Sequence, residues 1–150
     1  MRVVIQRASK ASVAINEQET RSIQKGLMIL VGIENSDTDD DIKWLVNKIV
    51  NLRIFDDENG VMDRSVLDVD GEILVVSQFT LHARTKKGNR PSYVDAARPE
   101  VSIPVYKQFK ERLSESLGKP VVSGEFGASM AVELVNDGPV TILIDTKDKK

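Results

Sequence analysis

Apolar residues recur along this chain with two different periods, and each period predicts a different kind of element. Short runs that are rich in β-branched residues, with apolar and polar positions partly alternating, predict β-strands. The runs that fit this description are residues 3–8, 11–15, 21–24, 27–34, 53–55, 72–77, 129–135 and 140–145. The polar segments that separate these runs are predicted to be turns and loops.

The longer period of an amphipathic helix appears in two segments. The first has apolar residues at i, i+3, i+4 and i+7, namely Ile42, Leu45, Val46 and Ile49. Thr38, followed three residues later by Asp41, is a capping signal before this helix. The second segment repeats an apolar residue every four positions, at Val101, Val105, Phe109, Leu113 and Leu117. Pro99 and Pro104 favour its first turns, and Gly118 with the Pro120 that follows predicts its end.

The order of these elements predicts a single α/β domain over residues 1–150. Helices are too few to alternate with every strand, which disfavours a doubly wound parallel sheet. A mixed, mostly antiparallel sheet covered by two helices fits the order better. The chain contains no internal repeat and no linker that would divide it.

Composition narrows the class of protein. Of 150 residues, 41% are hydrophobic and 29% are charged, which is typical of a soluble globular domain. The chain has no cysteine, so it has neither disulfides nor thiolate metal ligands. Its N-terminus does not have the pattern of a secretory signal, and no apolar stretch is long enough to cross a bilayer. We therefore expect a cytoplasmic protein with no membrane partner.

The net charge limits how the chain can use nucleic acid. With 21 basic and 23 acidic side chains it carries a formal charge of -2. Proteins that grip long nucleic acids through phosphates usually have a basic excess. If RNA is a substrate, the protein is expected to contact little of its backbone. A basic run formed by Arg84, Lys86, Lys87 and Arg90 is interpreted first as a solvated loop.

Familiar catalytic and cofactor motifs are missing. His82 is the only histidine, so a histidine metal site has no support, and no glycine-rich phosphate loop is present. A catalytic triad would have to pair His82 with Ser77, five residues earlier, and a continuing strand would point them to opposite faces. We predict no metal and no cofactor, and we give His82 no role beyond surface or packing.

Two segments place polar or unusual residues next to predicted strands. Residues 77–81 follow the apolar run 73–76, where hydroxyl, amide and backbone N–H groups can line a pocket and stabilise an oxyanion. The pattern alone favours a strand that simply reaches the surface. Residues 136–139, Asn-Asp-Gly-Pro, are predicted to be a hairpin turn between two strands.

Four motifs, taken together and in order, resemble the D-aminoacyl-tRNA deacylase family. They are S-Q-F-T-L at residues 77–81, K-G-N-R-P-S at 87–92, F-G-A-S-M at 126–130 and N-D-G-P-V-T at 136–141. Residues 1–8 and 26–32 are also similar to the family's N-terminal pattern. The similarity extends over essentially the whole chain.

The resemblance implies a fold, an assembly and a set of site residues. It implies a barrel-like layer of β-sheet with flanking helices, in a homodimer whose active sites lie at the subunit interface. The pocket for the aminoacyl group on the tRNA 3′ end is implied to consist of Ser77, Gln78, Phe79 and Thr80. Gly138 and Pro139, joined by a cis peptide, are implied to enter the pocket of the other subunit. Arg7 is implied to position them, and Phe126 and Met130 to pack near the substrate end.

The implied reaction is hydrolysis of the ester between a D-amino acid and the 3′-terminal adenosine, with glycine also removed to some extent. Thr80 as nucleophile and water assisted by the ribose 2′-hydroxyl both remain possible, and we prefer the second. A small esterase acting on soluble esters and a non-catalytic RNA-end or dimerisation module are the alternative functions.

Overall fold

In the computed structural model, which describes residues 1–150, the chain forms eight strands, two α-helices and one 3-10 helix. The strands are β1 (Arg2–Ile15), β2 (Glu19–Ile23), β3 (Gly26–Gly32), β4 (Phe55–Asp56), β5 (Met62–Arg64), β6 (Glu72–Ser77), β7 (Val122–Ser123) and β8 (Met130–Asp145). The helices are α1 (Asp39–Asn51), α2 (Pro99–Leu117) and the 3-10 helix Phe79–His82.

The long strand β1 organises the sheet. Along one edge it pairs antiparallel first with β3 and then with β2. Along its other edge it pairs antiparallel with β8. On the far side of β3 the pairing becomes parallel, with β6 and then the short β7. The prediction of a mixed sheet with two helices is therefore confirmed.

Two apolar clusters stabilise the fold. The larger one lies between the sheet and the two helices and includes Leu45 of α1 and Phe109 of α2, both fully buried. The smaller one lies where β1, β2, β3 and β6 curl together, and includes Val13 and Leu74. Because β2 also approaches β6 and β7, the sheet closes into a barrel-like layer.

Helix α1 begins, and helix α2 begins and ends, close to where the sequence predicts. The backbone N–H of Thr38 donates to the Asp41 carboxylate at 2.8 Å, which confirms the capping signal of α1. Helix α2 begins at Pro99 and ends before Gly118, whose φ of 82° is the left-handed conformation that glycine adopts readily. No helix is long and apolar enough to span a membrane.

The predicted hairpin at residues 136–139 is wrong. Strand β8 runs from Met130 to Asp145 without reversing, antiparallel to β1 over both of its halves. Gln6 lies opposite Thr141 but Ala8 lies opposite Asn136, so β8 has extra residues over a short step of β1. Residues 136–140 therefore form an outward bulge in one strand, which we call the β8 bulge.

Strand β1 is likewise continuous where the sequence predicts two strands, at residues 3–8 and 11–15. The Asn-Asp-Gly-Pro composition suits any sharp bend of the chain, and it is the unbroken partner strand that makes this bend a bulge. The peptide bond between Gly138 and Pro139 is cis.

Candidate active site

A cleft of about 310 Å³ opens where the parallel strands β3 and β6 end. Most of its lining is apolar, with a few polar groups among it. A concave, largely apolar site with a few converging polar groups is typical of small-ligand binding. The cleft is therefore the first candidate for the active site.

Five of the residues singled out in the sequence meet in this cleft. Ser77, Gln78 and Phe79 line it at the end of β6. Phe126 lines it from the segment before β8, and Met130 lines it as the first residue of β8. These two groups are far apart in sequence. The sheet brings them together because β6 and β8 both belong to it.

The chain leaves the sheet immediately after Ser77. The N–H of Gln78 donates to the Val31 carbonyl at 2.7 Å, and the next residues turn into the 3-10 helix instead of continuing the strand. The first turn of that helix is closed by the Leu81 N–H bonding the Gln78 carbonyl at 3.2 Å. The N–H groups of Phe79 and Thr80 precede this bond, so the helix supplies them with no carbonyl acceptor.

Thr80 is next to the cleft but does not line it. Its hydroxyl oxygen accepts a hydrogen bond from the Gln78 side-chain amide at 2.5 Å. An amide nitrogen of this kind donates a hydrogen bond and cannot accept a proton. The Thr80 hydroxyl is therefore held in place by a partner that cannot act as its general base.

Aromatic rings flank the cleft on two sides. Phe79, 55% exposed, meets Tyr93 edge to face with ring centres 5.1 Å apart. Phe126 packs against Tyr106, whose hydroxyl donates to the Val75 carbonyl at 3.3 Å. Burial raises the pKa of Tyr106 to about 12. Tyr106 is therefore a neutral, buried residue that packs behind Phe126.

Arg7 anchors the β8 bulge. Its side chain is buried, and its Nε donates to the Asp137 carbonyl at 2.7 Å. Its Nη1 donates to the Ile54 carbonyl at 2.9 Å and reaches the Asp56 carboxylate at 3.3 Å. A buried guanidinium requires such acceptors, so the bulge and the loop before β4 are held on the same side chain.

The outer part of the bulge is exposed and lies away from the cleft of its own chain. Gly138 and Pro139 are exposed, and neither lines the cleft. A Cβ on Gly138 would come within 2.8 Å of a Val140 methyl and 3.2 Å of Arg7 Nη2. The Asn136 side-chain oxygen accepts from the Val140 N–H at 2.9 Å. The bulge is thus an exposed but internally bonded projection.

Comparison with known proteins identifies the family of this chain. Residues 4–145 match the model of the family described as D-Tyr-tRNA(Tyr) deacylase. A D-aminoacyl-tRNA deacylase of Bacteroides fragilis strain YCH46 is 68% identical over 150 residues, which is all of both chains. The chain belongs to the D-aminoacyl-tRNA deacylase family. It is therefore of the hydrolase class.

Solved structures agree with this family assignment at the level of the fold. A protein described as c-Myc DNA Unwinding Element Binding Protein is 40% identical, with a TM-score of 0.91 over 97% of this chain and 98% of its own. A probable eukaryotic D-amino acid tRNA deacylase has a TM-score of 0.83 over 95% and 97% of the two chains. At 18% identity, the second likeness concerns the fold alone.

Several cleft residues of this deacylase-family protein carry no sequence signal. In the sequence, Val31 and Val132 do not differ from other strand residues, and Ser102 does not differ from other residues in the first turns of α2. Ala97 lies in a loop with no periodicity. Their role in the cleft follows from the packing of α2 and β8 around the end of β6. The sequence pattern alone does not show which residues this packing brings to the cleft.

We expect replacement of Arg7 by methionine to destabilise the protein substantially. The change leaves the buried Ile54 carbonyl without its donor, and each such group costs about 1–3 kcal/mol. The free energy of unfolding in urea, at one fixed protein concentration, measures the loss. The control is Arg53→Met, which breaks the exposed ion pair with Asp63 and should cost less than about 1 kcal/mol. Equal stability of the two variants would contradict the anchoring role of Arg7.

Proposed function

We propose that this chain is a cytoplasmic D-aminoacyl-tRNA deacylase, formed by one deacylase domain over residues 1–150. It hydrolyses the ester that joins a D-amino acid to the 3′-terminal adenosine of tRNA. The observation that carries this proposal is the cleft at the end of β6, with the N–H groups of Phe79 and Thr80 beside it and lacking an acceptor in the 3-10 helix.

Those N–H groups suit the reaction. When water attacks the aminoacyl carbonyl, negative charge develops on the carbonyl oxygen, and a preorganised donor there contributes about 3–4 kcal/mol to transition-state stability. Backbone donors need no reorientation, because β6 and the 3-10 helix already fix their direction. In this proposal, Phe79 and Thr80 donate to the oxyanion, while Ser77, Gln78, Phe126 and Met130 bind the end of the substrate.

Water, assisted by the ribose 2′-hydroxyl of the tRNA, is the attacking group in this mechanism. The alternative, a Thr80 nucleophile, needs a base to accept the hydroxyl proton. The hydrogen-bond partner of that hydroxyl is an amide donor, which favours the water mechanism.

The β8 bulge supplies the selection for one mirror form. D- and L-aminoacyl groups differ only in the direction of the side chain at Cα, and a rigid obstacle rejects one of them more sharply than apolar contacts do. Gly138 and Pro139 present backbone atoms held by the bonds of Arg7 and Asn136. These backbone atoms of Gly138 and Pro139 form a rigid wall. An L side chain collides with this wall, whereas a D side chain points away from it.

The wall comes from a second copy of the chain. Gly138 and Pro139 do not line the cleft of their own chain, so they can act only in the cleft of another. Strand β8 also exposes Val132, Val135 and Leu143 at one edge of the sheet. An edge strand with exposed apolar side chains favours pairing with another molecule. Both observations support a homodimer with its active sites at the interface.

The tRNA contact is proposed to be short. The 3-10 helix leads directly into the loop that carries Lys86, Lys87 and Arg90, all exposed. Arg84 is already paired with Asp95 at 2.5 Å. The exposed cations are suited to the phosphates nearest the 3′ end. With a net charge of -2 for the chain, little more of the tRNA backbone is expected to be bound.

The decisive experiment compares D-Tyr-tRNA, L-Tyr-tRNA and Gly-tRNA as substrates of the purified protein. We expect rapid release of D-tyrosine, and release of L-tyrosine at least about 100-fold slower. Glycine should also be released at some level, because it has no side chain to reject. D-tyrosine methyl ester is the control substrate. Equally fast hydrolysis of that ester would favour a small esterase, and binding without hydrolysis would favour an RNA-end module.

Replacing Thr80 by valine tests the attacking group. The change keeps the shape and the backbone N–H but removes the hydroxyl, so we expect kcat for D-Tyr-tRNA to fall by less than about tenfold. Steady-state rates at saturating D-Tyr-tRNA give kcat, and single-turnover rates at saturating enzyme give the rate of the chemical step alone. A fall of about 1,000-fold or more would instead make Thr80 the nucleophile.

Mixing two variants tests whether the wall crosses the interface. Pro139→Gly loosens the bulge by removing the ring that fixes φ, so this variant should hydrolyse L-Tyr-tRNA. Ser77→Phe fills the cleft and should be inactive on its own. The two variants are unfolded and refolded together with an about tenfold excess of Ser77→Phe. Most Pro139→Gly subunits, which have an open cleft, are then paired with a Ser77→Phe subunit, which has an intact bulge.

In that mixture, hydrolysis of L-Tyr-tRNA per Pro139→Gly subunit should fall about fivefold or more, while hydrolysis of D-Tyr-tRNA persists. Undiminished hydrolysis of L-Tyr-tRNA would mean that the bulge acts within its own subunit.

A further inference from the structure

His82 is the last residue of the 3-10 helix and is enclosed by protein. Its residue exposure is 2%, and the ring lies against β3 at Gly32, where a Cβ would come within 3.0 Å of His82 Cδ2. The absence of a side chain at Gly32 therefore makes room for the ring. The helix that carries the Phe79 and Thr80 N–H groups thus rests on the end of β3 through this imidazole.

Both ring nitrogens of His82 are buried and lack a hydrogen-bond partner. A neutral imidazole still carries one N–H, and buried N–H groups without an acceptor are rare in proteins. The deacylation mechanism makes no use of this ring. A buried polar group of this kind therefore requires an explanation.

Glu34, just after β3, offers the acceptor. Its Oε2 lies 3.5 Å from His82 Nδ1, and its Oε1 already accepts from the Ser36 hydroxyl at 2.8 Å. An approach of about 0.5 Å brings Oε2 into the range of a charge-assisted hydrogen bond. The loop that carries Glu34 is itself fastened, because the Glu34 N–H donates to the Asp37 carboxylate at 2.8 Å.

We propose that His82 is a positioning residue of the deacylation site. Its Nδ1–H donates to the Glu34 carboxylate and so holds the 3-10 helix, with the Phe79 and Thr80 N–H groups, against the end of β3. A second tie is already formed, since Arg2 Nη1 donates to the Leu81 carbonyl at 3.0 Å. A helix of four residues has few internal bonds, so ties of this kind set the direction of its N–H groups.

This inference rests on the proposed function, but its first test does not require activity. His82 is the only histidine, so the ring ¹⁵N signals of the labelled protein belong to it alone. We expect the proton on Nδ1 in the wild-type protein and in Glu34→Gln, whose amide oxygen also accepts. In Glu34→Ala the proton should leave Nδ1, and the backbone amide signals of Phe79 and Thr80 should shift. A proton on Nε2 in the wild type, or signals unchanged in Glu34→Ala, would overturn the proposal.

The second test is kinetic. His82→Leu and Glu34→Ala should each lower kcat for D-Tyr-tRNA about tenfold with KM changed less than about twofold, because the cleft lining is untouched. The double variant should be no slower than either single variant, since both remove one contact. His82→Asn, which keeps a donor near the Nδ1 position, and Glu34→Gln should recover most of kcat. Asn35→Ala, in the same loop, is the matched control and should behave as wild type.

The outcomes separate this inference from the function on which it rests. If the wild-type protein does not deacylate D-Tyr-tRNA, the proposed function fails and the ring signals still decide the His82–Glu34 contact. If the wild type is active and His82→Leu keeps its kcat, the positioning role is overturned and the function stands. Unfolding of each variant in urea identifies a loss of kcat that merely follows a loss of stability, and a loss of that kind counts against positioning.

Discussion

The structure depends on one buried cation, the guanidinium of Arg7, which needs hydrogen-bond acceptors. Arg7 lies in the middle of β1, and its guanidinium is satisfied by the carbonyls of Asp137 and Ile54 and by the Asp56 carboxylate. A buried guanidinium without such partners would be strongly unfavourable. Strand β8 departs from regular pairing at this point, where its Asp137 carbonyl accepts from the Arg7 side chain. The Arg7 side chain of β1 thus holds the β8 bulge by a bond within one chain.

The parallel pairing of β3 with β6 determines the other half of the proposed site. Pairing ends at Val31 and Ser77, and one further bond from the Gln78 N–H marks the exit of the chain from the sheet. Residues that stayed in the ladder would have their N–H groups occupied by a neighbouring strand. Leaving it for a short 3-10 helix frees the N–H groups of Phe79 and Thr80, while the close packing of this helix against Gly32 at the end of β3 keeps them in place.

A structural feature of this protein is predictable from the sequence when neighbouring residues in the chain determine it. The helices follow from apolar periodicity and from caps such as Thr38 and Gly118, so their bounds are predictable. The β8 bulge is not, because Asn-Asp-Gly-Pro favours a bend but does not specify whether the strand reverses afterwards. Ser77 and Gln78 stand out in the sequence, whereas Ser102 and Val132 enter the cleft only through tertiary packing.

In the homodimer that we propose, edge pairing and chiral selection have one physical origin. Strand β8 is the long open edge of the sheet, and the apolar side chains of Val132, Val135 and Leu143 remain exposed on it. Covering that edge with a second copy removes the apolar surface from water and also brings a bulge from each chain to the other. In the proposed mechanism, a monomer would have the oxyanion donors but would lack the partner's bulge, and so the means to reject an L-aminoacyl group. Under this proposal, assembly supplies selectivity, while the N–H groups of Phe79 and Thr80 stabilise the transition state.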